Sequence, residues 1–563
     1  MHFHFVPIVN IPFNLDKIFS DNEMMKNLVF LYIDENSAHS FEKVFSGKSA
    51  FEKCLEWAAD VSSLCGIVVA CFEENKNIVE SFVSSFDKVK AKIVSRNFWN
   101  TAILIEEMSA QVSIFSADDV VYSSADRPFL DKKLTSELLE NHRKYISEYT
   151  FADGYPYGFS PEIINSGTLK ILSTFASKTH KGLGEFQVSN ECIFNVMKAD
   201  INSFEIESVI APKDFRMLRL DFSCSQKRNF VACQRLYSNA LKKEIPFTAE
   251  NLSELAETCA DVQQTLPAFY NIQISENCLA MPFYNPYPEA FKNKFGFFPF
   301  EKENQNPKDM TLEKFNFLIE QISSFSEDAV IDLSAWGERL LNKKFAEFIE
   351  IVLRHKNLSV LVETDGVLVT EQLVSKVFEI SERAGKRKNG AESVTWIVSI
   401  DSFSEDMYNK IFSNGNFNSA VNSILALNKF FPSSVYPQFT RMNENEDELE
   451  KFYRFWHSKD SPSGGKVIIQ KYNDFCKLLP SRKPADLSPL ERNVCWHLKR
   501  DMTILCTGEV PLCRQFVFSS IGNVFDEGVE NIWKKYFGEV QNQLEKKYGE
   551  KCKDCDEYYT FNF

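Results

Sequence analysis

The sequence predicts an α/β protein in three successive segments, and three observations predict it. Strand-like and helix-like runs alternate over 1–245. A strand-then-helix unit repeats six times over 266–475. Five cysteines crowd into 495–563. With 44% hydrophobic and 25% charged residues over 563 positions, the chain can build several cores. Its net charge of −15 weighs against nucleic acid or anionic lipid as a non-specific partner. No apolar run approaches the ~20 residues that a spanning helix needs, and LCGIVVACF at 64–72 fits a buried strand instead. The start, MHFHFVPIVNIPFNLD, has neither a basic n-region nor a small-residue cleavage site. A cytoplasmic chain is expected, and its 14 cysteines are then no disulfide framework.

In the first segment KNLVFLYID (26–34) and LCGIVVACF read as strands, and FEKCLEWAADV (51–61) and LTSELLENHRKYI (134–146) carry helical apolar spacing. The stretches ADRPFLDKKLTSELLENHRKY and FADGYPYGFSPEII resemble cytidylyltransferases of the nucleotide-sugar type, with a GT-A-like nucleotidyltransferase fold. Asp126, Pro128 and Phe129 match the family's Asp–x–Pro turn, and Tyr155, Pro156, Gly158 and Glu162 its Tyr–Pro–x–Gly stretch. LRLDFSCSQKRNFVACQRLY (218–237) puts Asp221 at the acidic position that closes that domain. The resemblance implies that Asp126 and Asp221 share one Mg²⁺ facing a triphosphate. The phosphate loop departs from the family. NLVFLYIDENSAHSF (27–41) has no Gly, Lys or Arg, and it sets Asp34 and Glu35 where phosphates would lie. Gly47–Lys48 survive, but the glycine that a P-loop needs five residues earlier is Glu42, and Tyr157 replaces the family's arginine.

In the second segment the strands read as FYNIQIS (269–275), AVIDLSAW (329–336), LSVLVET (358–364), VTWIVSID (394–401), VYPQFTRM (435–442) and KVIIQKY (466–472). Helical patterns such as LEKFNFLIEQI (312–322) and DELEKFYRFWH (447–457) follow the first five. Continuous apolar strands alternating with amphipathic helices predict a parallel sheet covered by helices. Six units suggest a closed or partly open barrel with its site at the carboxyl ends of the strands. A doubly wound open sheet is the competing architecture.

The proline-bearing linker KLLPSRKPADLSPLERN (477–493) leads to Cys495, Cys506, Cys513, Cys552 and Cys555. Separate thiols plus a CxxC suit tetrahedral Cys₄ ligation, and the residues alone leave zinc and iron–sulfur both open. The alternative is a zinc knot that staples the tail. The segments CWHLKRDMTILCTGEVPLC, GNVFDEGVENIW and CKDC resemble a SPASM domain, the auxiliary iron–sulfur module of radical S-adenosylmethionine enzymes, and the whole tail resembles the spiro-SPASM family. That resemblance implies one 4Fe–4S cluster held by Cys495, Cys513, Cys552 and Cys555, with a redox partner. Cys506 matches no ligand position. With the short stretch after Cys555, no second tail cluster is expected.

The same resemblance makes the second segment a partial (β/α)₆ radical SAM-like barrel, and it demands CxxxCxxC after the first strand. In NCLAMPFYNPYP that motif would start at Cys278, yet Pro282 and Asn285 occupy the next two ligand positions. A degenerate barrel, unable to cleave S-adenosylmethionine, is therefore expected. Gly337 and Glu338 resemble the Gly–Glu turn that binds the cofactor's amino group, Thr364, Asp365 and Gly366 end the third strand, and Ser399 and Asp401 stand where a ribose is held. Together they imply a retained pocket for a small nucleoside-like molecule or a peptide. Whether the chain is an enzyme stays open. The alternatives are a nucleotidyltransferase making an activated sugar for surface glycans, and a radical enzyme with unconventional cluster ligation.

Overall fold

A computed structural model describes residues 25–178, 187–277, 280–296, 309–388, 390–432, 434–489, 491–516 and 518–560. The chain divides into two compact units. One holds the residues up to 35 with 49–153 and 158–211; the other holds 36–48, 154–157 and 212 onward.

In the first unit, apolar strands with helices between them form a mixed seven-stranded sheet. Its strands are β1 (Asn27–Tyr32), β2 (Leu64–Phe72), β3 (Ala91–Arg96), β4 (Asp119–Ser124), β5 (Tyr149–Asp153), β6 (Glu162–Asn165) and β7 (Ile206–Ile210). The order is β3-β2-β1-β4-β6-β5-β7. The first four are parallel, and β6 runs antiparallel to both β4 and β5. Every residue of β1 is buried, as expected of a central strand covered on both faces. The helix Thr101–Phe115 starts where the Asn100 side chain accepts from the Ile103 amide at 2.8 Å, and the helix Lys132–Lys144 is capped likewise by Asp131.

In the second unit all six anticipated barrel strands form, as β8 (Phe269–Ile272), β10 (Ala329–Asp332), β11 (Leu358–Thr364), β12 (Val394–Ser399), β14 (Val435–Arg441) and β15 (Ile468–Lys471). Two-residue β9 (Met281–Pro282) and β13 (Phe412–Ser413) pair antiparallel with each other in a separate ribbon. The main sheet runs β15-β14-β12-β11-β10-β8 and gains a seventh strand, β16 (Asp501–Ile504), beside β8. All its pairings are parallel. Sequential order without reversal decides for an open half-barrel, because a doubly wound sheet changes direction at a switch point. Some strands stop earlier than their apolar runs. Leu333–Trp336, for instance, leaves the ladder to form the loop at the sheet's carboxyl edge.

The cysteine-rich tail is thus built onto the barrel. Met502 and Ile504 of β16, with Trp533 and Tyr536 of the helix Val529–Leu544, share one buried core with Tyr270, Phe348, Trp396 and Phe439. Among the described residues no helix is long and apolar enough to cross a membrane.

Candidate functional site

Beyond β16 the chain turns back at Gly508, whose φ is +87° and where a Cβ would lie 2.2 Å from the Phe525 ring. Only glycine satisfies both demands. The return strand β17 (Glu509–Pro511) pairs antiparallel with β18 (Ser520–Asn523) and delivers Cys513 toward Cys495. After the helix Val529–Leu544, a short turn (Glu550–Lys553) presents Cys552 and Cys555. These four cysteines line one pocket, together with Arg492, Arg514, Gln515 and Gln543. The Gln543 side chain accepts from the Cys495 amide at 3.0 Å, and Arg492 donates to the Cys552 carbonyl at 2.7 Å. Cys506 is not among the lining residues; its thiol donates to Glu276 at 3.5 Å, which accounts for its absence from any ligand pattern.

Burial pushes the Cys495 thiol up to about 12 and Cys552 to about 11, and it holds Cys513 well above the usual range, with neighbouring thiols adding to each. Cys555 alone is lowered, first by a hydrogen bond from the Cys476 thiol. Thiols packed this way ionise together only around a cationic centre. Buried polar atoms in the same wall, Arg514 Nε, Gln543 Nε2 and both side-chain polar atoms of Gln515, make no hydrogen bond among the described residues. They are donors and acceptors suited to the surroundings of a sulfur-rich group. The residues present therefore fit a thiolate-bound cluster. Among the described residues no three His, Cys, Asp or Glu side chains gather tightly enough for a single metal ion.

The sequence reading did not single out Cys476. Nothing in its spacing points to the tail; only the fold brings it to Cys555.

At the barrel's carboxyl edge, the loop after β8 reaches the positions singled out above. A Cβ on Gly337 would sit 2.0 Å from the Ser275 carbonyl oxygen, so glycine is required for the close approach. The Glu338 amide donates to the Asn277 carbonyl at 2.6 Å. Its buried carboxylate accepts from Leu340 N at 3.0 Å, Asp365 N at 3.2 Å and Thr364 Oγ1 at 3.2 Å. The Ala280 amide donates to Asp365 at 3.1 Å. Pro282 lies in β9, Phe283 N donates to Ile411 O at 3.0 Å, and Asn285 caps the helix Pro286–Phe295. Tyr284 donates to Asp401, which also accepts from Thr440 N at 2.5 Å. Ser399 receives a long 3.5 Å contact from Gln438. Cys278 lies outside the described residues.

Burial pushes Asp332 and Asp365 up to about 7, with the charges of Glu363 and Glu338 adding respectively. Burial lifts Asp401 to about 6 against the pull of the Tyr284 hydrogen bond. A raised carboxyl pKa means that the fold favours the neutral acid. Asp401's contribution is complete below its unfolded value near 4 and is lost as pH rises through about 6. The loss from this group is about 3 kcal/mol. Denaturant unfolding should show stability falling over that window, and Asp401→Asn, which keeps the neutral shape, should flatten the slope. An equally steep slope in the variant would contradict the assignment.

In the first unit Asp126 is buried in the turn after β4. Its neighbour Arg127, which the sequence reading passed over, donates to Ser160 O at 3.3 Å and Asn190 Oδ1 at 2.9 Å. Burial pushes Glu162 up to about 7 while the Arg127 charge pulls it down. Asp34 faces Tyr32, whose hydroxyl is raised first by burial and then by that carboxylate. Asp221 belongs to the second unit, where it bridges to Tyr157.

Residues 495–556 match the SPASM family, described as an iron–sulfur cluster-binding domain. An uncharacterized protein of Treponema pallidum (strain Nichols) is 36% identical over 379 residues, covering 66% of this chain and 98% of that protein. Among solved structures, a cytidylyltransferase from Leptospira borgpetersenii aligns at 16% identity over 42% of this chain and 96% of its own, with a TM-score of 0.34. Streptococcus suis SuiB bound to precursor peptide SuiA aligns at 11% identity over 59% and 75%, with a TM-score of 0.38. The chain belongs to the family of the Treponema pallidum protein and carries a SPASM domain at its carboxyl end.

Proposed function

We propose that this is a one-cluster SPASM protein whose tail binds a 4Fe–4S cluster through Cys495, Cys513, Cys552 and Cys555, and whose barrel does not cleave S-adenosylmethionine. The observation that carries it is the pocket that all four thiols line. Thiols spread around a cavity suit a cube of iron and sulfide better than a single zinc, for which four ligands converge on one point. When bound, the cluster supplies one-electron transfer. Arg492 anchors the CxxC turn through its carbonyls, Gln543 anchors Cys495, and β16 ties the assembly to the first barrel strand.

The barrel reading is supported by its mouth. Pro282 and Asn285 cannot serve as thiolate ligands. The Glu338 amide of the Gly–Glu turn is taken by Asn277, and Asp401 by Tyr284. Gly337, Glu338, Ser399 and Asp401 then border a site for a peptide or small molecule. A cytoplasmic setting with an electron-transfer partner suits reduced thiols. Anaerobic protein should contain about four irons and four sulfides per chain, show visible absorbance that bleaches on reduction, and yield no 5′-deoxyadenosine from S-adenosylmethionine. About eight irons, or zinc without sulfide, would sink this reading.

A second reading concerns the first unit, where Asp126 follows the central strand β4 beside the buried Arg127 and Glu162. It makes the chain a nucleotidyltransferase for an activated sugar, with Mg²⁺ at Asp126. Pyrophosphate release from CTP with sugar phosphates, abolished in Asp126→Ala, is the expected result. Release that survives that change would end this second reading.

A further inference from the structure

We propose that the second unit holds a binding site for a phosphate group, built from Arg219, Trp496 and Lys499. Arg219, Asn493, Trp496, Lys499, Tyr558 and Tyr559 line one cavity, and no carboxylate is among its lining residues. The cavity shares no lining residue with the four-cysteine pocket, so the proposal does not depend on the cluster reading.

The charge in this wall is uncompensated. Lys499 is only 5% exposed. Its ammonium donates to the Leu218 carbonyl at 3.1 Å, which uses one of its three donors, and it makes no ion pair among the described residues. A lysine is rarely buried this far unless a counter-charge meets it, because desolvating an unpaired charge is costly. A second cation stands beside it. The Arg219 guanidinium and the Lys499 ammonium lie 5.0 Å and 5.5 Å from the centre of the Trp496 ring, so two like charges share one aromatic surface. Arg219 is held there by a 2.6 Å hydrogen bond to the Tyr559 carbonyl. A third cation over the same ring, Arg500 at 5.8 Å, has its own carboxylate in Asp501 at 3.5 Å.

An independent observation concerns the indole. Trp496 Nε1 is buried and has no hydrogen-bond partner among the described residues. This atom can only donate, so what is missing beside it is an acceptor. The ring cannot easily turn away, since the Trp496 amide donates to the Tyr558 carbonyl at 2.8 Å and the Tyr558 hydroxyl to the Pro489 carbonyl at 3.0 Å. Two cations match the double negative charge of a phosphate group. Its oxygens accept from the indole N–H and from the remaining ammonium donors of Lys499. A chloride or a carboxylate leaves half of that charge unmet.

The test titrates inorganic phosphate into the full chain by calorimetry at constant ionic strength, with sodium chloride and sodium acetate as controls. Wild type should bind phosphate saturably at a single site, and neither control should compete at equal concentration. Lys499→Gln, which removes the charge, should weaken binding about tenfold, and Trp496→Phe, which removes the N–H alone, about fivefold. Thermal unfolding supplies a second readout. In phosphate-free buffer Lys499→Gln should melt no lower than wild type, because it relieves a buried charge, and phosphate should raise the midpoint of wild type but not of the variant. Ribose 5-phosphate distinguishes the source: tighter binding than phosphate assigns the site to a phosphorylated metabolite, weaker binding to the free ion, and either supports it. No saturable binding by wild type, equal affinity in both variants, or equal competition by chloride would overturn the proposal. So would a Lys499→Gln protein that melts below wild type without phosphate, since the lysine would then be a structural donor to Leu218.

Discussion

Cys513→Ala should empty the protein of iron, from about four atoms per chain to fewer than one. Cys513 enters the pocket because the Gly508 hairpin carries it there. Loss of the cluster should also weaken the fold, since a group bound only by the native state contributes its binding energy to folding. That loss will not stay in the tail, because β16 pairs with β8 and shares the barrel core. Thermal unfolding of Cys513→Ala should therefore begin lower throughout the second unit. Cys506→Ala is the matched control: another tail cysteine is removed, yet its thiol faces Glu276, and iron should stay at the wild-type level. Full iron in Cys513→Ala, or its loss in Cys506→Ala, would disprove the ligand set.

Tyr284→Ala should cost about 3 kcal/mol, the low end for deleting an aromatic side chain from a packed site. The ring packs against Phe283 and Tyr472, and its hydroxyl serves Asp401 at the floor of the mouth. Alanine removes both the packing and the donor. Tyr284→Phe separates the two, with an expected cost of about 1–3 kcal/mol for a buried acceptor left short of a partner. It should also raise the Asp401 pKa, because the hydrogen bond that opposes burial is gone. The pH window of lost stability then shifts upward. Denaturant midpoints in the order wild type, Tyr284→Phe, Tyr284→Ala would bear this out. Indistinguishable midpoints would show that Tyr284 does not stabilise the barrel.

Much of the architecture was legible in the residues. Hydrophobic runs such as LSVLVET and VTWIVSID mark buried strands because burial on both faces leaves few polar positions, and that signal is local. The clustering of Cys495, Cys506, Cys513, Cys552 and Cys555 was legible because a CxxC and a glycine hairpin are local devices, whereas the choice of four among them came from the resemblance to a SPASM domain. Three things were not. Cys476 lacks any telling spacing, and its left-handed turn is tied to the CxxC turn by an ion pair between separate segments, Lys477 with Asp554. The role of Gly337 looked like a cofactor contact, yet its first constraint is the Ser275 carbonyl, which a distant loop places against it. The union of tail and barrel through β16 depends on a parallel pairing that leaves no pattern in either strand alone. Sequence periodicity reports which face of an element is buried, whereas partner, register and the filling of a pocket are settled between elements far apart in the chain. For this protein the residues themselves determined the half-barrel strands and the crowding of cysteines in the tail, and tertiary structure decided which thiols share a pocket and which polar groups the chain keeps for itself.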